Sequence, residues 1–282
     1  MHEVDLHLHT TCSDGRLTPE KLIELVASRG LKIVSVTDHD TTDGIEVALK
    51  TAAAFPQLTV IPGIEMSTDI PGDEIHLLGY FIDYHDQELQ ETLVRFREDR
   101  EGRAINMVEK LNALGVHITW ERVLEIADGA AIGRPHIAHA MLEKGYVSEF
   151  KEAFDKYLGR NGPAYSERAK MTPREAVDLV LQFGGLPVLA HPTWIKSLEP
   201  VLIELKDAGL VGMEVHYGNY TAREVHELAK LADRFDLIPC GGSDYHGLGT
   251  PGEAEPGKTG PPRESAEALI ALKTSRGSNA PR

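Results

Sequence analysis

His7 and His9 stand one residue apart in Asp5-Leu6-His7-Leu8-His9-Thr10, and Ser13-Asp14-Gly15 follows at once. In an extended strand, residues i, i+2 and i+4 point the same way, so Asp5, His7 and His9 share one face while Leu6 and Leu8 face the core. Two imidazoles so placed make half of a metal site. Further donors recur at what read as other strand ends: Thr37-Asp38-His39-Asp40, Gly63-Ile64-Glu65, Glu74-Ile75-His76, Ala190-His191-Pro192 and Gly242-Ser243-Asp244-Tyr245-His246. The candidate ligands are therefore His7, His9, Asp14, His39, Glu65, His76, His191, Asp244 and His246, six imidazoles and three carboxylates. Completed by water, that set serves about three four- or five-coordinate divalent ions. Glu65, the only acid in the middle of the set, is the natural bridge. Nitrogen and oxygen donors without thiolate suit Mn, Fe or Zn better than a structural thiolate zinc site. Asp5, Asp38 and Asp40 read as acids that orient imidazoles. His2, His85, His117, His139, His216 and His226 read as ordinary core or surface residues, with His216 the closest to a strand end.

A polynuclear cluster of this kind suits hydrolysis of a phosphate ester. The cations lower the pKa of a water, clamp phosphoryl oxygens and stabilise the leaving oxygen. The sequence has no Ser or Cys nucleophile motif. The economical mechanism is in-line attack by a metal-bound hydroxide, from a water positioned by Glu65, His39 and His191.

These donors need a scaffold that brings many strand ends together. Strands read at residues 3–9, 33–37, 58–61, 75–82, 187–190, 211–215 and 237–240. Helices alternate with them from Thr18-Pro19 to Gly30 and over 43–54, 172–184, 198–208 and 221–235. Alternation implies a mostly parallel sheet, and functional residues at many strand ends favour a closed barrel with its site at the C-terminal mouth. Residues 87–165 break the rhythm with helices only, near 119–127, 134–144 and 148–157 after a long first one. The expected organisation is a discontinuous barrel, 1–86 and 166–282, interrupted by a helical insertion or lid, 87–165. Residues 248–262 read as a Gly- and Pro-rich loop and 274–282 as a frayed tail.

A chain of 282 residues can bury a substantial core. No apolar run approaches the roughly 18 residues that span a bilayer. The functional strand begins at residue 3 with no leader-like stretch before it, and the only cysteines are Cys12 and Cys240. The expectation is a cytoplasmic protein with reduced thiols, no membrane association and no obligate protein partner. A formal charge of -15 argues against a broad grip on long duplex nucleic acid, though not against a nucleotide or short oligonucleotide. The cluster Arg95, Arg97, Arg100 and Arg103, interleaved with Glu98, Asp99 and Glu101, reads as a solvated helix face.

The stretches DLHLHTTCSDG at 5–15, TDHDT at 37–41, PGIEMS at 62–67, EIHLLGY at 74–80, VLAHP at 188–192 and GGSDYHG at 241–247 resemble the PHP (polymerase and histidinol phosphatase) superfamily. The resemblance implies a distorted seven-stranded β/α barrel. Asp14 and the insert segment Gly133-Arg134-Pro135-His136-Ile137-Ala138 are similar to the TrpH-like branch, whose members hydrolyse nucleoside 3′,5′-bisphosphates, short RNA or mononucleotides. By the same resemblance, His7, His9, Glu65 and Asp244 hold a first metal, Asp14, His39 and His191 a second, and Glu65, His76 and His246 a third. Arg134 and His136 open an insert helix. On the residues alone, a surface Arg and a capping His is the plainer reading; the resemblance favours phosphate binding there. Tyr165 is open between stacking on a base, bonding a phosphate and simple packing. Two alternatives stand beside the nucleotide phosphoesterase. A histidinol-phosphate-type phosphatase is disfavoured by Asp14 and the insert. A non-enzymatic polymerase-associated module is disfavoured by the filled ligand set.

Overall fold

Val4–Leu8 forms β1, with Asp5, His7 and His9 buried on one side and Leu6 and Leu8 packed into apolar clusters on the other. The computed structural model describes residues 2–70, 73–130, 132–166, 171–250 and 252–278. Six further strands follow: β2 (Ile33–Val36), β3 (Thr59–Ile70), β4 (Asp73–Tyr80), β5 (Leu186–Leu189), β6 (Gly212–Tyr217) and β7 (Ile238–Gly242). They are hydrogen-bonded in sequence order. The sheet then nearly closes, because Asp244 N–H donates to the His7 carbonyl and His9 N–H to that of Tyr245, both at 3.0 Å. Gly242 makes that approach possible. A Cβ there would strike the His7 backbone and the Asp5 carboxylate.

The sheet is less uniformly parallel than alternation predicts. β3 and β4 are an antiparallel pair in register from Gly63 with Tyr80 to Ile70 with Asp73, and β4 is also antiparallel to β5. The remaining neighbours are parallel. β3 is also far longer than the four residues expected, and its extension carries Glu65 out to the mouth.

Outer helices cover the barrel. α1 (Pro19–Ser28) and α2 (Ile45–Ala52) pack Leu22, Ile23, Val26 and Ala48 against β1 and β2. Thr18 caps α1 by accepting from Lys21 N–H, with Pro19 in the first turn. The helices matching the later periodic segments are Pro173–Gln182, Leu198–Ala208 and Ala222–Arg234. Two of these open with capping boxes, Thr172 with Glu175 and Thr221 with Glu224. A last helix, Arg263–Ser278, was not expected from the sequence. It packs Ala266 and Leu269 beside Leu6, and the supposed tail at 274–278 belongs to it. Residues 279–282 lie outside the described residues.

Between β4 and β5 the described chain is helical. α3 (Gln87–Ala113) starts at an Asp86 cap and serves two cores. Leu89 and Leu93 pack into the barrel's cluster, whereas Ala104, Met107, Val108 and Leu111 join a separate one. That second core also takes α4 (Trp120–Ala127) and α5 (Arg134–Glu143), and α6 (Phe150–Ala153) continues into a π-helical turn, Phe154–Leu158. Burying one end of α3 in each core fixes the angle at which its middle, residues 96–103, meets the barrel mouth.

Candidate metal centre

Glu65, 1% exposed, is the hub of the mouth. Its Oε2 lies 3.2 Å from each of His7 Nε2, His9 Nε2 and His39 Nδ1. Its Oε1 lies 2.7 Å from His76 Nδ1 and 3.1 Å from His191 Nε2. Asp244 Oδ1 adds a second acid to the first group, 3.2 Å from His7 Nε2 and 2.9 Å from His9 Nε2. Asp14 sits on the far side, 3.3 Å from His246 Nε2, 3.7 Å from His9 Nδ1 and 3.8 Å from His39 Nε2. Three overlapping sets of donors within 4.8 Å of one another result: His7, His9, Glu65 and Asp244; His9, Asp14, His39 and His246; and His39, Glu65 and His76.

The nine residues singled out from the sequence thus converge, but two exchange places relative to the resemblance. His246 stands with Asp14 and stacks on His9 at 4.1 Å, rather than with His76. His191 stands with Glu65 Oε1 and His76, at a ring separation of 5.0 Å, rather than with Asp14. Barrel closure is the reason. The segment after β7 lies against β1, so His246 faces His9, while β5 lies against β4, so His191 faces His76. His216, on β6, belongs to none of the three sets.

Several of these atoms lack a hydrogen-bond partner and are suitable donors for a cation. Both ring nitrogens of His9, Nδ1 of His39, Nε2 of His76 and Oδ1 of Asp244 are buried without a hydrogen-bond partner among the described residues. Unsatisfied buried polar atoms are costly, and converging lone pairs of this kind fit divalent ions. The electrostatics agree. Burial would raise the Glu65 carboxyl, but His39, His7 and His76 draw it well below the usual range. Burial opposes the His7 cation, yet Asp244, Glu214 and Glu65 raise its pKa well above the ordinary value. His76 and His246 are likewise pushed up to about 10 against burial, His76 by Glu65 and His246 by Asp14 and Asp244. Burial takes His39 down to about 3. In the absence of a cation the acids draw protons onto their imidazoles, which is the place a metal charge fills. Cys12 and Cys240 are both free, and burial raises the Cys12 thiol to about 11.

The backbone is bent to deliver the donors. His191, Asp244 and Asp40 are non-glycine residues with φ of 27°, 55° and 51°. Such conformations cost about 1–3 kcal/mol each and persist where surrounding bonds fix them. Here each N–H is tied into the site: His191 to Glu214 Oε2 at 2.8 Å, Asp244 to the His7 carbonyl, and Asp40 to the Glu65 carbonyl at 2.9 Å.

Glu214 is the residue that sequence reasoning missed. It is fully buried on β6, takes the His7 Nδ1–H at 3.0 Å, and so turns Nε2 toward Glu65 and Asp244. Its signal was an acid inside the apolar run Val211-Gly212-Met213-Glu214-Val215. The acids expected to orient imidazoles act elsewhere. Asp5 takes the N–H groups of His7 and Ser243. Asp38 takes Thr10 and Ser13, which fixes the turn that carries Asp14. Asp40 takes Ser67 N–H and Arg100.

Arg100 and Arg103 also depart from expectation. Instead of a solvated face, they turn into the mouth, Arg100 Nη1 2.8 Å from Asp40 and Arg103 Nη1 3.8 Å from Glu74. Arg95 stays exposed. Arg134 bonds Glu74 at 2.6 Å and lies over the Phe154 ring. Arg100, Arg103 and Arg134 line one cleft with Asp14, His39 and His76. His136 accepts the Gly133 N–H on Nδ1 at 2.9 Å, a capping role, and lines an adjoining cleft with Asp14. The Tyr165 ring is covered by Arg103 at 5.1 Å and Arg160 at 6.0 Å, so it packs against guanidiniums.

A PHP-domain model matches residues 5–158. The chain is 34% identical over 250 residues to the 5′-3′ exoribonuclease Rnm of Salmonella typhimurium, covering 86% of this chain and 84% of that one. It is 32% identical over 257 residues to the 3′,5′-nucleoside bisphosphate phosphatase of Chromobacterium violaceum, covering 89% and 90%. A solved structure assigned as a metal-dependent phosphoesterase of Bifidobacterium adolescentis superposes with a TM-score of 0.87 at 29% identity, covering 96% of both chains. No helix among the described residues is long and apolar enough to cross a membrane.

Proposed function

The chain belongs to the PHP-domain family, and from that premise we propose that it is a metal-dependent hydrolase of nucleotide phosphate esters. The substrates are the 3′-phosphate of nucleoside 3′,5′-bisphosphates, mononucleotides, or the ends of short RNA. The observation that carries this reading is the juxtaposition of two kinds of charge. Eight donors converge at the mouth with His191 beside Glu65, and three of them, Asp14, His39 and His76, line one cleft with Arg100, Arg103 and Arg134. Such a cleft suits a reacting phosphate on the cations and a phosphate oxygen or second phosphate on the guanidiniums.

Three divalent ions would draw on these donors, one on His7, His9, Glu65 and Asp244, one on Asp14, His39 and His246, and one on Glu65 and His76 with His191, which lies 3.1 Å from Glu65 Oε1. Imidazole and carboxylate donors suit Mn, Fe or Zn. Such ions activate water near neutral pH, clamp phosphoryl oxygens and stabilise the leaving oxygen. The protein's part is orientation. Glu65 holds two donor groups at a fixed separation, with His39 and His191 flanking it on opposite oxygens. Arg134 exchanges Glu74 for phosphate, and His136 presents its free ring nitrogen beside Asp14. The helical segment 87–165 acts as an insertion over the mouth and limits the substrate to small or single-stranded nucleotides.

The test is phosphate release from adenosine 3′,5′-bisphosphate and 5′-mononucleotides, and mononucleotide release from a 5′-phosphorylated RNA trimer, with Mn²⁺ and after chelation. Release that survives complete chelation, or is absent from all three with metal restored, overturns the reading.

A further inference from the structure

We propose that Trp194 is the stacking platform for the substrate's nucleobase, an inference that rests on the nucleotide phosphoesterase reading above. Trp194 ends the short 3₁₀ turn Pro192–Trp194, three residues after His191. It is 59% exposed, the most open of the exposed large hydrophobic side chains among the described residues. Its ring lies 4.5 Å from the His191 imidazole at an interplanar angle of 35°. Tyr217 meets it edge-on at 5.7 Å and 87°. Tyr217 also donates its hydroxyl to Asp244 Oδ2 at 2.6 Å. Behind them Tyr220 packs on Tyr217 at 4.9 Å and accepts the Thr193 N–H at 3.3 Å. The turn is therefore flanked by Tyr220 and by Tyr217, which also bonds the donor Asp244, while most of the indole faces solvent.

An indole kept in water beside a charged cleft is an unfavourable way to fill space, since a packed Trp buries most of its area. It is a favourable way to receive a flat π-system. Base–aromatic stacking is indifferent to base identity and needs no positive charge, which suits a chain of net charge -15. The placement also divides the labour. Arg100, Arg103 and Arg134 line the cleft beside Asp14, His39 and His76, whereas Trp194 and Tyr217 adjoin His191 and Asp244. A nucleotide with its base on Trp194 presents its sugar phosphates to the donor cluster and directs the second phosphate toward the guanidiniums.

The experiment has a kinetic and a binding arm. Trp194→Ala should lower kcat/KM for adenosine 3′,5′-bisphosphate about tenfold to a hundredfold, the range for loss of one stacked base. Trp194→Phe should recover most of it. For the sugar bisphosphate lacking the base, neither variant should change the rate. Trp120 and Trp194 are the two tryptophans, so a Trp120→Phe protein reports Trp194 alone. With Zn²⁺ present, adenosine 5′-monophosphate should quench its fluorescence and ribose 5-phosphate should not. Equal quenching by both, no quenching by either, or equal losses of Trp194→Ala on both bisphosphates overturns the platform. Quenching by adenosine 5′-monophosphate in a protein that hydrolyses no nucleotide overturns the functional reading instead and leaves the platform standing.

Discussion

The barrel mouth and the helical segment facing it hold charge in opposite ways. In the barrel, donors project from the strand ends, are buried or nearly so with His76, Asp244 and His246 partly open, and leave ring nitrogens without hydrogen bonds. Their positions are over-determined: Glu214 fixes both His7 and the strained His191 backbone, and Asp38 fixes the turn bearing Asp14. On the helical side, Arg100 and Arg134 are already paired, with Asp40 and Glu74, in contacts a phosphate can replace. The contrast separates two demands. A cation cluster needs preorganised donors that nothing else satisfies, and a substrate grip needs charges kept solvated or paired until the ligand arrives.

The contrast is broken most severely at Glu65. Glu65→Gln should lower the metal content of two donor sets at once, because an amide cannot hold two cations as a carboxylate does. Phosphate release should fall to background. Elemental analysis of Mn²⁺-loaded variant and parent checks it, and full metal content with full activity would refute the hub. Glu214→Ala should come next, reducing metal affinity or activity about 10- to 100-fold, as removal of partners behind metal-bound imidazoles does. Glu214→Gln keeps one acceptor oxygen, enough for either the His7 Nδ1–H or the His191 N–H, so it should lose less. A metal titration that finds equal losses in the two variants would mean that Glu214 acts through its charge alone.

The donors were legible in the sequence because their chemistry is conspicuous. His-X-His on a strand, and acids or imidazoles closing one apolar run after another, serve no need of a hydrophobic core and a clear need of a cation. The partition of the donors was not legible, since it depends on which strand ends become neighbours when the sheet closes. His246 meets His9 only because β7 returns to β1. The antiparallel β3–β4 pair escaped notice because both strands are buried and carry the same apolar run in either direction. Arg100 and Arg103 looked solvated because i, i+3 charges mark exposed helix faces, and nothing local reveals that a helix leans over an acidic mouth. The helix Arg263–Ser278 has a weak apolar stripe after a Gly- and Pro-rich loop and gives little periodic signal.

The helical side should respond more gently than the barrel. Arg134→Ala should reduce kcat/KM by about one to two powers of ten, the scale of a lost charge-assisted hydrogen bond. Metal content should hold, since Arg134 reaches Glu74 and the Phe154 ring and no member of the three donor sets. The loss should be larger for adenosine 3′,5′-bisphosphate than for p-nitrophenyl phosphate, which has no second phosphate to anchor. Equal losses would reduce Arg134 to a general phosphate clamp. A fall in metal content would mean that the two regions are coupled rather than separate.

The smallest effect should come from His136, where structure and chemistry meet in one ring. Nδ1 accepts the Gly133 N–H at the start of α5, so it is committed to the helix end, and only Nε2 is available beside Asp14. His136→Ala removes both functions. Loss of the cap should destabilise the protein by about 1 kcal/mol, and kcat/KM should fall with it as Arg134, two residues away, loses its fixed base. His136→Asn separates the two functions, because the Asn carbonyl can occupy the place of Nδ1 while nothing replaces Nε2. Urea denaturation should then find His136→Asn close to the parent in stability. Any remaining drop in kcat/KM, about tenfold if Nε2–H donates to a phosphate oxygen, measures the substrate contact alone. Full activity in His136→Asn would make His136 purely a capping residue and leave the grip on substrate to the arginines.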